Sequence, residues 1–305
     1  MKAPATLSDQ KIEILSVDLL EQNRSLVEDL KKLARALRLE FGWHYLLDLT
    51  WTIHNLGAVQ GKQIMDAGAG TGILQWYLAK SGADVFSVDR LSRATLPPRF
   101  RRQFRVQGLR DTDLSSLRQS FIQVLKRPVS GPFYRRWAAG LAALWRESAA
   151  YLASSSSAGK VFIYNQDLTD LTEINDNSLD AIVAISSLEH NTPEGLAQVV
   201  VELMRVLKPG GKLLATLTAG RDQDWWHTAS SGWCYTDTSL RRLFMLPPET
   251  SSNYEHYDEL FARLKDSREL RDNLARFYYQ SSDKGMPKGV WNPEYQPVGV
   301  CKIKN

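Results

Sequence analysis

The segment Ile64-Met65-Asp66-Ala67-Gly68-Ala69-Gly70-Thr71-Gly72 constrains this chain more than any other. Three glycines at alternate positions follow a short apolar run and precede a helical pattern. Glycine takes positive φ without steric cost, so the backbone can turn tightly there and approach a ligand, and the following helix offers unpaired N–H groups at its start. Asp89 closes the next apolar run, twenty-three residues after Asp66. A carboxylate at that place can accept hydrogen bonds from both hydroxyls of a ribose. Taken alone, the loop also suits an ordinary strand-to-helix turn. A nicotinamide dinucleotide is a rival ligand, but its fingerprint is G-x-G-x-x-G, whereas here the spacing is G-x-G-x-G with Asp two residues ahead.

The surrounding pattern alternates. Leu26, Leu30, Leu33 and Leu37 recur at helical spacing within residues 22–39, and Trp43 to Leu56 reads as a second helix. Short strands are predicted at Gln63–Met65, Ala83–Val88, Lys160–Tyr164, Asp180–Ile185, Lys212–Leu217 and Pro297–Ile303. Helices are predicted at Ile73–Lys80 and Glu194–Leu207, with a turn at Lys208-Pro209-Gly210-Gly211. Strands alternating with helices imply a parallel α/β sheet with right-handed crossovers. Residues 91–159 interrupt the alternation with Pro97-Pro98, a basic run Arg99 to Arg105, two amphipathic helical patterns, and Ser154–Ser157 as a flexible tether. They read as an insertion between the second strand and the third. The expected organisation is a helical segment over 1–60 and one large domain over 61–305 carrying a basic helical insertion at about 91–159. No sixth strand is assigned between residues 240 and 296.

At 305 residues, 43% hydrophobic and 24% charged, the composition is that of a soluble globular protein. No apolar run reaches bilayer length, the first residues lack a secretory apolar core, and Cys234 and Cys301 make no disulfide framework. A cytoplasmic location is the expectation. The net charge of +4 is unevenly spread: Arg90 to Arg136 holds twelve Lys or Arg against Asp111 and Asp113, so this stretch carries +10 and the remainder −6.

The run Asp66-Ala67-Gly68-Ala69-Gly70-Thr71-Gly72 resembles motif I of class I S-adenosylmethionine-dependent methyltransferases. Val88-Asp89, Asn165-Gln166-Asp167-Leu168, the fourth-strand run Ser178 to His190 and the helix-turn-strand Leu203 to Leu213 agree with that family in order and spacing. The resemblance spans about residues 63–218, outside the insertion. It implies a Rossmann-like, mostly parallel sheet with helices on both faces, here with an N-terminal helical cap and a helical insertion after the second strand. It implies S-adenosylmethionine as cofactor and S-adenosylhomocysteine as product. By resemblance, Asp66, Gly68, Ala69, Gly70 and Gly72 form the cofactor loop, Asp89 with neighbouring Arg90 meets the ribose, Asp167 and Leu168 meet the adenine, and Ser186 lies near the methionine part. Asp167 suits turn capping equally well.

The cofactor carries its own reactive methyl group, so the protein must chiefly align acceptor and donor. An oxygen acceptor also needs a base. His190 is the candidate, since it follows the fourth strand and titrates near neutrality; capping the helix that begins near Pro193 is the competing role. Leu188-Glu189-His190 resembles small-molecule methyltransferases. Glu189 orients His190, binds an acceptor cation or faces solvent, and two adjacent residues make a poor metal cage, so no metal is expected. Beyond the fifth strand, Trp225, Trp226 and His227 suggest an acceptor pocket, with His227 as second-choice base, although packing competes for the tryptophans. Trp43 and His44 close the pocket from the N-terminal side, or pack. Cys234 reads as a small buried residue.

Three readings compete for the basic insertion: a solvated face, a site for an anionic acceptor or an acidic membrane surface, and a nucleic-acid docking arm. The fourth-strand loop lacks the Pro-Pro-aromatic and Pro-Cys signatures of base methylation. The favoured reading is O-methylation of a small molecule: a sugar, lipid-linked or secondary-metabolite acceptor. An RNA- or DNA-binding methyltransferase is the alternative.

Overall fold

The computed structural model describes residues 10–126, 133–153, 157–276, 286 and 289–305, excepting the side chains of 133–136 and 153. In chain order the elements are β1 (Lys11–Ile14), α1 (Asp18–Gln22), α2 (Arg24–Leu37), α3 (Tyr45–Leu56), β2 (Gln63–Ala67), α4 (Leu74–Lys80) and β3 (Asp84–Val88). The insertion follows as α5 (Pro98–Gln103), β4 (Val106–Gly108), α6 (Leu117–Leu125) and α7 (Phe133–Ala153). Then come β5 (Val161–Tyr164), β6 (Leu179–Ile185), α8 (Pro193–Val206), β7 (Leu207–Ala219), β8 (Trp225–His227), β9 (Gly232–Tyr235), α9 (Asp237–Leu243), β10 (Ser251–Ser252), α10 (Tyr257–Lys265), α11 (Arg268–Asp272) and β11 (Gln296–Ile303).

The sheet runs β10-β1-β11-β7-β6-β2-β3-β5-β4, and β9 pairs with β7. Pairing is parallel from β7 through β4, while β11 lies antiparallel to both β7 and β1. Side chains alternate between the two faces, as the pleat requires. Ile64, Val85, Val161, Ile163, Ala181 and Val183 join α2, α3 and α4 in one core, whereas Met65, Val88, Tyr164, Ile182 and Ala184 join α8 and α9 in the other. Both faces are therefore covered, which explains the near-continuous apolar strands. Helix α3 is buried almost all round, and its Trp51 passes so close to Gly299 that a Cβ there would meet the indole at 2.4 Å.

Three details go beyond the expected pattern. The N-terminal segment is not purely helical: β1 pairs with β11, from Lys11 opposite Cys301 to Ile14 opposite Val298. The insertion is not purely helical either, since β4 pairs with β5 at the sheet edge. The turn at Lys208–Gly211 is absorbed into β7 as an irregularity beside β6, with Gly210 at φ +75°. Among the described residues between 240 and 295, only the two-residue β10 joins the sheet, next to β1. The insertion belongs to the main core, because Trp76 of α4 stacks on Phe100 of α5 at a centroid distance of 4.7 Å and meets Phe104, at the end of α5, at a tilt with centroids 4.9 Å apart. The tether expected at Ser154–Ser157 lies, except for Ser157, outside the described residues.

Candidate active site

The chain leaves β2 towards β3 on one side and reaches β6 on the other, so the loop after β2 stands at the point where strand order reverses. Open α/β sheets bind ligands there, beyond the carboxyl ends of the strands. A cavity of about 990 Å³ opens at that place. Its volume is at the upper end of the range for small-molecule sites, which suits a cofactor with a second ligand beside it.

The loop is braced from beneath. Gln75, fully buried, accepts from Ser87 Oγ at 2.7 Å and donates to the carbonyls of Gly72, Ala69 and Gly70 at 3.1, 3.4 and 3.4 Å. Arg93 lies under the same loop, donating to the Ser87 carbonyl at 2.6 Å, to the Gly70 carbonyl at 3.3 Å and to Ser87 Oγ. Gly68 at φ +74° and Gly70 at φ +49° take the left-handed turn. A Cβ on Gly68 would sit 2.4 Å from Ser187 Cβ, so only glycine fits between β2 and the loop after β6.

Asp66 is buried beside Arg93. Burial pushes its carboxyl up to about 7, the Arg93 charge opposes this, and the Asp89 charge reinforces it. Asp89 accepts from the Gly70 N–H at 2.7 Å and from the Leu91 N–H at 2.8 Å, so its carboxylate ties the glycine loop to the end of β3.

Asp66, Gly68, Ala69, Gly70 and Gly72 line the cavity, as do Ser186, His190 and His44. Asp89, Arg90, Asp167 and Leu168 are not in its wall. Asp167 faces solvent and caps its own turn, accepting from the Thr169 N–H at 2.9 Å and hydroxyl at 2.7 Å, and these bonds hold it below the usual carboxylate range. This is the capping geometry anticipated as its other role.

Ser186 adopts a left-handed backbone at φ 44°, uncommon for a residue with a Cβ and found where surrounding structure imposes it. Its hydroxyl donates to Glu189 Oε1 at 2.5 Å. Glu189 is buried, and burial raises its carboxyl while the His190 charge and the Ser186 hydroxyl oppose the rise. Its Oε2 has no hydrogen-bond partner among the described residues. His190 is exposed at the cavity wall, with Nδ1 2.8 Å from the Ser231 carbonyl. A carbonyl only accepts, so Nδ1 carries a proton, and in the neutral imidazole Nε2 keeps the lone pair.

His227 does not share that freedom. It is buried, Nδ1 accepts from the Ser230 N–H at 3.1 Å, and Nε2 lies 2.8 Å from Glu294. Both ring nitrogens of this second candidate base are therefore engaged within the protein. The tryptophans are also displaced from the expected pocket. Trp225 and Trp226 form the hairpin of β8 and β9; Trp225 packs on the core, and Trp226 meets Trp233 with centroids 5.6 Å apart. Trp43 is buried and donates from Nε1 to the Tyr295 hydroxyl at 3.2 Å.

Several residues at this site carry no signal in the sequence pattern. Tyr295, also in the cavity wall, brings its hydroxyl within 3.3 Å of His44 Nε2, and His44 Nδ1 lies 2.6 Å from the fully buried Asp48. The His44–Asp48 spacing of one helical turn is legible in hindsight, whereas Tyr295 arrives from the far end of the chain. Arg93 looks like one more cation in a basic run; its burial follows from the place where β3 and β5 end.

A family model described as a methyltransferase domain matches residues 142–215. Over that stretch, from α7 to β7, the chain is similar to a methyltransferase domain. Its cofactor is S-adenosylmethionine, and the left-handed glycines, the gap that no Cβ could share with Ser187, and the buried carboxylate beside them fit that ligand. Among solved structures, the [4+2]-cyclase SpnF is similar at 14% identity and TM-score 0.47, over 96% of this chain and 98% of that one. The Burkholderia thailandensis 1,6-didemethyltoxoflavin-N1-methyltransferase, with bound 1,6-didemethyltoxoflavin and S-adenosylhomocysteine, is 13% identical with TM-score 0.42, over 100% and 93% of the two chains. A SAM-dependent methyltransferase from Methanosarcina mazei is 14% identical with TM-score 0.35, over 64% and 82%. No curated protein matches the sequence.

Proposed function

We propose that this methyltransferase acts on a small-molecule hydroxyl, in a sugar, lipid-linked or secondary-metabolite acceptor, held in the cavity between the glycine loop and the wall formed by His44 and Tyr295. The observation that carries this reading is the orientation of His190: Nδ1–H held by the Ser231 carbonyl and Nε2 left to accept a proton, in the same cavity as the cofactor loop.

When bound, S-adenosylmethionine supplies a methyl group already activated by a sulfonium. The chain's own residues then position and deprotonate the acceptor. His190 Nε2 would take the proton of the acceptor hydroxyl as its oxygen receives the methyl group that the cofactor would supply. The resulting imidazolium is stabilised through Nδ1–H by Ser231 and by the adjacent Glu189, whose ionised form the His190 charge favours. Ser186 fixes the Glu189 carboxylate through its hydroxyl. Asp66 and Gly68 to Gly72 serve the cofactor, and Asp89 acts by tying down the loop.

Calorimetry with S-adenosylmethionine and S-adenosylhomocysteine, followed by S-adenosylhomocysteine release across a panel of hydroxylated small molecules, tests the reading. His190→Ala is expected to bind cofactor normally and to lose about a hundredfold to ten-thousandfold in kcat on the accepted substrate. Absence of cofactor binding would defeat the whole reading; unchanged turnover in the variant would defeat the base assignment alone.

A further inference from the structure

Helix α7 is inverted relative to an ordinary surface helix. Its one acid, Glu147, points inward and forms a buried ion pair with Arg99 of α5. Gly140 faces Leu125 of α6, where an added Cβ would lie 4.0 Å from the leucine, and Tyr151 meets Phe121 of α6 at a centroid distance of 6.3 Å. These contacts fix which side of α7 packs on the protein. The opposite side is apolar: Leu141, Trp145 and Leu152 are 55%, 75% and 70% exposed, with the exposed Ala138, Ala142 and Ala149 between them. Leu125 and Ile122 of α6 are also exposed, at 46% and 38%. Monomeric proteins seldom expose a contiguous apolar ridge of this kind unless something covers it.

Charge selects the occupant. Residues 90–136 carry twelve bases against two acids. Arg118, Lys126 and Arg146 are exposed on α6 and α7, and among the described residues none of the three is in an ion pair. The nearby acids Asp113 and Glu147 are already taken by Arg110 and Arg99. We propose that the outer face of α7, with the adjoining end of α6, docks the protein onto an anionic lipid bilayer. Trp145 and the leucines would enter the headgroup boundary, and the exposed bases would meet lipid phosphates. No described helix is long and apolar enough to cross a membrane, so α7 lies along the surface. A second copy of the chain would set like charge against like charge, and a nucleic acid has no use for an apolar ridge. The inference is independent of the reaction proposed above.

Flotation of the whole protein with vesicles of phosphatidylcholine alone, and of phosphatidylcholine containing phosphatidylglycerol, tests this. Binding is expected to the anionic vesicles only, and to weaken as salt is added. Trp145→Glu and Leu141→Glu should each lower that binding at least about tenfold while leaving S-adenosylmethionine affinity, measured by calorimetry, unchanged; Trp145→Ala is the milder variant if either charged one fails to fold. Failure of the unmodified protein to float with anionic vesicles, equal binding to neutral vesicles, or equal binding by the variants would overturn the proposal. So would a dimer seen by light scattering that the same substitutions dissociate, because the ridge would then be a subunit interface.

Discussion

Replacing Asp66 by Asn should flatten a specific part of the protein's pH–stability profile. Burial raises the Asp66 carboxyl from 3.8 to about 7 in the fold, against the pull of Arg93 and with the help of Asp89. A carboxyl raised on folding binds its proton more tightly in the native state than in the unfolded chain. Its contribution is therefore full below about pH 4 and is lost as pH rises towards about 7; above that both states are ionised and the profile is level. Between about pH 5 and about pH 8.5 the native carboxyl passes through roughly two pH units in which only the unfolded chain is ionised. At about 1.4 kcal/mol per unit, the loss is about 3 kcal/mol. Asn keeps the shape and has no proton to lose. Urea unfolding of the cofactor-free protein and of Asp66→Asn at the two pH values gives four free energies. The stability of the parent relative to the variant should fall by about 3 kcal/mol from the lower pH to the higher. A relative stability that stays level, or rises with pH, would refute the argument, since Asp66 would then be ionised throughout and Arg93 would outweigh burial.

Other perturbations follow from the same geometry. Gly68→Ala forces a side chain into a left-handed backbone and against Ser187, so stability should drop by at least about 1–2 kcal/mol and S-adenosylmethionine affinity by tenfold or more; Gly140→Ala, with only an ordinary contact at 4.0 Å, is the matched control expected to be near neutral. Glu147→Ala removes the carboxylate partner of the half-buried Arg99 guanidinium, which keeps its bond to the Leu37 carbonyl, at a cost of about 1–3 kcal/mol, which amide exchange should register as faster opening of α5 and α7 with α8 unaffected. Cys234 is buried, and burial pushes its thiol up to about 12, so the folded protein should resist thiol-modifying reagents at mildly alkaline pH and this cysteine should react once denaturant is added. Rapid labelling of Cys234 in the native state would contradict that.

The inner strands and the cofactor loop were legible because their signals are local. A short apolar run followed by glycines at alternate positions carries its own explanation, and β2, β3, β5 and β6 fall within one or two residues of the predicted bounds. The outer strands gave no such cue. Lys11-Ile12-Glu13-Ile14 alternates over four residues only, and it becomes a strand because β11 lies beside it, some 290 residues later. The aromatic segment after β7 looked like a pocket on composition. Pairing of Trp225 with Cys234 and of His227 with Gly232 makes it a hairpin whose rings pack on one another. At the site, glycines and His190 announced themselves, whereas Arg93, Asp48 and Tyr295 derive their roles from burial and from neighbours distant in the chain, which spacing does not encode.

The position of β11 has a consequence for biosynthesis. It is inserted between β7 and β1, and β1 leaves the ribosome long before that partner exists. Until β11 is translated, β7 presents an open hydrogen-bonding edge and β1 has only the two-residue β10 beside it, a state that invites mispairing with other nascent chains. Assembly on the ribosome should therefore pause with the sheet open beside β7, and deletion of Gln296–Ile303 should leave a product that collapses without closing, however intact its cofactor loop.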